Sequence, residues 1–161
     1  MANWFSRRLT APGAHVQLNR AQWTIVEEVD RHNLPVDEED FNRGYGPLYS
    51  CVQLLCHSNK EKESQEETSA FMLIYLQTPI LGTEGETLAT RSQQATQYTP
   101  SELAALQTFT ERCVQCTPRL LDWRSSRQEK DSPVPEGFIV WVVWEIVPGT
   151  RLGDAFGGDI F

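Results

Sequence analysis

Apolar residues fall into two patterns along this chain. The first is the short continuous run. Residues 48–56 (LYSCVQLLC), 70–76 (AFMLIYL) and 138–147 (FIVWVVWEIV) are dense in branched and aromatic side chains and end in turn formers. Such runs read as buried strands. Residues 120–124 (LLDWR) form a shorter strand candidate. The second pattern is helical spacing. In residues 18–30 (LNRAQWTIVEEVD), Leu18, Ala21, Trp23, Ile25, Val26 and Val29 stand mostly three and four apart. That spacing predicts a helix, with Pro35 as its stop signal. A second helix is predicted from Thr99-Pro100-Ser101-Glu102. Thr99 caps, Pro100 fits the first helical position, and Glu102 reaches back to the cap's N–H. Leu103, Leu106, Phe109 and Cys113 then share one face.

Between these elements lie polar connections. Residues 42–47 (NRGYGP) are a turn cluster, 58–69 are glutamate-rich, and 81–98 and 125–137 are polar. The order helix, strand, strand, helix, strand, strand predicts an α+β domain. Its sheet is antiparallel with about five strands, and the helix from Thr99 packs on one face. One domain spans 1–161, with a helical N-terminal extension over 1–40 and a tail over 150–161. In that tail, Phe156, Ile160 and Phe161 either fold back over the sheet or form an unordered end.

Composition narrows the function classes. With 40% hydrophobic and 22% charged residues among 161, the chain suits one packed core. A net charge of −8 argues against nucleic-acid binding, which needs a basic face. No apolar run approaches the roughly 20 residues of a membrane span. The N-terminus lacks a secretory h-region. Trp4, Phe5, Arg7 and Arg8 are expected in an ordered arm laid on the domain. The expected location is cytoplasmic, and Cys51, Cys56, Cys113 and Cys116 are expected as free thiols.

Candidate chemistry is sparse. The four cysteines with His57 are considered as a zinc set. Cys51 and Cys56 lie an odd number of positions apart on one strand, so they face opposite ways. No metal and no cofactor are expected. Cys113 and Cys116 form a CxxC outside any thioredoxin-like setting. Trp141 and Trp144, three apart on the last strand, point to opposite faces.

Four segments carry a resemblance. FMLIYLQTP resembles the third strand of the small N-terminal lobe of the protein-kinase-like fold. TPSELAALQTFTERCVQCTPRLLDW is similar to its αC helix and next strand. VPEGFIVWVVWEIVPG is similar to the fifth strand and hinge, and TRLGD to the segment leaving the hinge. The chain resembles fungal kinase-like proteins related to the aminoglycoside phosphotransferase group. The resemblance implies Trp144 as gatekeeper, Glu145 to Val147 as hinge, and Glu102 as the αC glutamate. It puts Leu73 where the phosphate-holding lysine would stand. Gly44 and Gly46 do not complete a glycine-rich loop, and the chain ends at Phe161 before any large-lobe catalytic residue. Kinase activity is therefore not expected, since phosphoryl transfer needs that lysine and a bound metal.

The expected function is a non-catalytic, kinase-like small lobe acting as a binding module. Its ligand surface is expected at Tyr75, Trp144, Glu145 and Val147. A small molecule, a protein partner or a second copy would meet an uncovered apolar sheet face. The alternative is a small metal-independent enzyme of a specialised pathway. It would run a cyclisation or isomerisation in an aromatic-lined pocket, with Glu102, Glu145 and His57 as acid/base candidates.

Overall fold

The segment 18–30, where spacing predicts a helix, is extended. In the computed structural model, which describes residues 3–46, 48–59 and 67–148, it is the turn between two strands and most of the second strand. Strand β1 is His15–Gln17 and β2 is Gln22–Leu34, paired antiparallel. The misleading spacing has a physical cause. Against strand β3 (Tyr49–Asn59), β2 slips register between Ile25 and Glu27 and again between Glu28 and Asp30. Val26 and Val29 are the extra residues of two β-bulges. Each insertion turns a spacing of two into three and imitates a helix. Helix within residues 3–40 is limited to α1 (Arg7–Thr10) and the start of α2 (Glu38–Asn42).

The remaining elements follow the sequence more closely. After β3 come β4 (Ser69–Gln77), the short α3 (Leu88–Ser92), α4 (Ser101–Glu111), β5 (Leu120–Arg127) and β6 (Phe138–Glu145). Six strands form one antiparallel sheet in the order β1-β2-β3-β4-β6-β5. The fold is thus α+β, with one strand more than the sequence suggests. The capping box of α4 does not form. Pro100 is the N-cap and makes no side-chain cap, so Glu102 sits one position too early to reach back. Its carboxylate instead accepts from Ser101 Oγ at 3.3 Å. Leu103 is buried and Leu106 packs beside it, whereas Phe109 and Cys113 are exposed.

The curled sheet carries two cores. Phe5, Trp23, Ile25, Leu54, Met72, Ile74 and Trp141 fill one face, closed by the N-terminal arm. Cys51, Leu73, Tyr75, Phe138, Val140 and Leu103 fill the other, closed by α4. Cys51 and Cys56 therefore do face opposite ways, as do Trp141 and Trp144. The arm covers much of one face and α4 much of the other, while Leu55, Phe71, Trp123 and Trp144 stay half-buried. Pro47, Gly149, the TRLGD segment and Phe156, Ile160 and Phe161 lie outside the described residues.

One carboxylate joins the two ends of the sheet. Asp122 on β5 is fully buried. Its oxygens accept from Arg20 N at 3.1 and 3.2 Å, Ala21 N at 3.0 Å, and Trp23 Nε1 at 3.0 Å. They also accept from Trp123 N at 2.8 Å. Arg20 Nη1 reaches Leu121 O, and Arg124 Nη1 reaches Gln17 O, each at 3.0 Å. So the β1–β2 turn is tied to β5 although the two strands stand at opposite ends of the sheet. A bulge makes this arrangement reachable. Leu120 pairs with Trp144 and Asp122 with Val143, leaving Leu121 as the extra residue. Leu120 thereby enters the α4-side core while Asp122 turns to the arm side.

Replacing Asp122 strands several buried donors at once. Asp122→Ala is expected to cost about 3 kcal/mol, since each unsatisfied buried group costs about 1–3 kcal/mol. The cost appears as a lower urea midpoint at unchanged slope. A loss under about 0.5 kcal/mol, the range of an ordinary surface change, contradicts the clamp.

Candidate functional site

The sequence-derived candidates fall into three places. Tyr75 and Glu102 come together. Tyr75 is fully buried in β4, and Tyr49, Tyr98 and Phe138 surround it, with ring centroids 5.2 Å (Tyr49–Tyr75), 6.3 Å (Tyr75–Tyr98) and 5.2 Å (Tyr98–Phe138) apart. Burial raises the Tyr75 phenol above its usual pKa, and the nearby Cys51 and the Glu102 charge add to this. Burial likewise raises Tyr49, Tyr98 and Cys51. No sound hydrogen bond joins the Tyr75 hydroxyl to Glu102, so the carboxylate acts there as a nearby charge. Glu102 itself is exposed. The rings pack against one another, with Tyr49 and Tyr98 stacked at 5.7 Å.

Trp144, Glu145 and Val147 lie at the end of β6. Trp144 is half-buried on the α4 face, 6.2 Å from the Phe71 ring. Glu145 accepts from Arg119 N at 3.0 Å and faces Arg119 Nε at 3.8 Å. Val147 is 51% exposed. His57 is on β3, separated from β6 by β4, and its ring faces Glu67 at 3.6 Å. Glu102, Glu145 and His57 therefore do not converge. Among the described residues, no group of three or more His, Cys, Asp or Glu side chains is placed to hold a metal. No described helix is long and apolar enough to cross a membrane.

A cleft lies elsewhere, on the arm side of the sheet. Its volume is about 870 Å³, within the usual range for a small-molecule site. The arm forms one wall, with Trp4, Phe5 and α1. Alternation along β4 and β6 sends Leu76, Ile139 and Trp141 to the floor. From β5, the same alternation sends Arg124 and Ser126 to this side, opposite Trp141 and Ile139.

The far wall is fixed by buried amides. Gln77 Oε1 accepts from Thr96 N at 3.0 Å and Phe138 N at 3.3 Å, while its Nε2 donates to Gln94 O at 2.7 Å. Gln128 Nε2 donates to Gln77 O at 2.9 Å and Phe138 O at 3.1 Å, and its Oε1 accepts from Val134 N at 3.1 Å. Gly137 is glycine because a Cβ there would stand 2.6 Å from Gln77 Oε1. This network pins the 78–98 connection and the β5–β6 turn together. Arg91 is thereby held against the turn, with Nη1 donating to Pro133 O at 2.8 Å.

The electrostatics of the cleft oppose those of the chain. Five arginines line it (7, 8, 91, 124 and 127) against the carboxylates Glu129 and Asp131, in a protein of net charge −8. Arg127 is paired with Glu136 at 3.4 Å. Among the described residues, none of the other four is ion-paired within 4.0 Å of a carboxylate. Arg124 lies 6.0 Å from the Trp141 ring centroid, a cation–π contact. Sequence reasoning picked out Arg7 and Arg8 only as part of an arm. It missed Arg91, Arg124 and the floor role of Trp141, because residues from 3 to 141 meet there only through the sheet order.

No protein family, no curated protein and no solved structure matches the chain.

The thiols divide by burial. All four are free. Cys51 and Cys56 are buried, and burial pushes the Cys56 thiol from 9.0 up to about 12. Cys113 and Cys116 are exposed. At pH 8, iodoacetamide is expected to label Cys113 and Cys116 in the folded protein and all four only in urea, as read by mass spectrometry. The folded state holds Cys56 as a neutral thiol. Its contribution to stability is whole below about 9 and is lost as pH rises toward about 12. Labelling of Cys56 in the folded protein at pH 8 contradicts this burial.

Proposed function

We propose that this protein is a non-catalytic binding module that holds a small molecule in the cleft between its N-terminal arm and the β5–β6 turn. The observation that carries this reading is the cleft itself: an apolar floor with unpaired arginines around it, walled by segments that buried amides hold rigid. Such convergence of a few polar groups on an apolar concavity is the usual form of a ligand site. In this reading the sheet and α4 are a kinase-like small lobe. Leu73 supports the loss of phosphate handling, since it is a neutral residue in the α4-side core. The four free thiols suit a cytoplasmic setting. The enzymatic alternative has less support, because its three acid/base candidates stand apart.

Ser126 provides the test. It is half-buried, lines the cleft, and lies outside both cores. Ser126→Trp should fill the floor of the cleft beside Ile139, without disturbing the fold. In a thermal-shift screen of acids, amines and neutral compounds, some compounds are expected to raise the wild-type melting temperature. Occupancy at 100 times Kd is worth about 2.7 kcal/mol. Those shifts should vanish in the filled variant. A screen with no shifts, or shifts that persist in Ser126→Trp, overturns the reading.

A further inference from the structure

We infer that the ligand of this cleft is an organic anion with a flat apolar body, its acidic group held by Arg91 and Arg124 and its body laid on Trp141. This rests on the cleft being the binding site and adds the chemistry of what enters it.

Three observations converge on an anion. The first is the local excess of positive charge. Arg7, Arg8, Arg91 and Arg124 meet in one concavity of an acidic protein. Paired arginines are available elsewhere on the chain, as at Glu28–Arg31, 2.7 Å apart. An unpaired cluster is self-repelling, and a bound anion relieves that repulsion.

The second is unmet donor capacity. Four side-chain polar atoms among the described residues are buried without a partner, and two of them belong to residues that line this cleft. Both are N–H donors: Arg91 Nε and Trp141 Nε1. Trp141 is only 8% exposed, so its indole N–H is shielded from water as well. Leaving such donors unmet costs about 1–3 kcal/mol each. What both lack is an acceptor, which an acidic ligand supplies once the side chain turns its closed N–H toward the cleft.

The third is the floor. Leu76, Ile139 and the Trp141 ring form an apolar surface beneath the charge. Inorganic phosphate or sulfate would leave that surface without a partner. A body of aromatic size would cover it, and the guanidinium fork matches a carboxylate, sulfonate or phosphate bidentately.

Naphthalene-1-sulfonate, 1-naphthyl phosphate, 1-naphthalenemethanol and 1-naphthylmethylamine test the inference by calorimetry, since they share one ring and differ in charge. The two anions are expected to bind at least about tenfold tighter than the alcohol and the amine, as a charged hydrogen bond is worth about 1.5–3 kcal/mol. Arg124→Gln and Arg91→Gln should each weaken the anions about tenfold and leave the alcohol unchanged. Higher salt should weaken the anions alone. If the alcohol binds as tightly as the sulfonate and Ser126→Trp abolishes both, the cleft stands as a binding site and the anionic ligand is wrong. If anion binding survives Ser126→Trp, or no probe binds, the inference falls, and in the first case the cleft falls with it. Circular dichroism of each variant separates lost binding from lost fold.

Discussion

A buried carboxylate accepting four N–H groups closes this molecule. Asp122 draws in Arg20 N, Ala21 N and the Trp23 indole from one end of the sheet and Trp123 N from the other. A charge out of contact with water is tolerable only when donors replace its hydration. Here backbone donors of the β1–β2 turn provide that replacement. The turn's N–H groups have no strand partner, so each side satisfies the other's need. The result is that the two ends of a six-stranded sheet are joined by side-chain chemistry without a continuous ladder between them.

Curvature is the condition for that contact. Val26 and Val29 bulge out of β2, and Leu121 bulges out of β5. Bulges increase the local twist and bend of a strand. They also disturb the outer edge of β2, which has no strand beside it past Thr24 among the described residues. That edge carries Glu27, Glu28, Asp30 and Arg31, charges that discourage edge-to-edge pairing. With the sheet curled, the arm settles across the concave face through Phe5. The unfilled remainder of that face, toward the β5–β6 turn, is the arginine-lined cleft.

Much of this fold is legible in the residues. The runs 70–76 and 138–143 are buried strands because both of their faces pack into a core, so every position is apolar. Helix α4 announces itself through Pro100 and the Leu103/Leu106 stripe. The strand at 22–34 does not, because two bulges replace its alternation with helical spacing. Asp122 does leave a trace, as one acid inside LLDW, but its partners are about a hundred positions away. The cleft is less legible still. Arg7, Arg91, Arg124 and Trp141 share no spacing, and only the order β4-β6-β5 and the arm bring them together. Tyr75 and Glu102 are the exception among the site candidates. They meet because Leu103, next to Glu102 at the start of α4, enters the same core as Tyr75 of β4.

Hydrogen exchange at the β1–β2 turn tests this account most directly. Arg20 and Ala21 lie in a turn, half-buried or exposed, where amides ordinarily exchange at once. If Asp122 holds the sheet closed, these two amides exchange only when the clamp opens. Their protection then matches that of the β3 and β4 core amides such as Leu54 and Met72. Exchange of Arg20 and Ala21 at the rate of the open loop at Gly82, with β3 and β4 still protected, would show that the ends of the sheet are not joined.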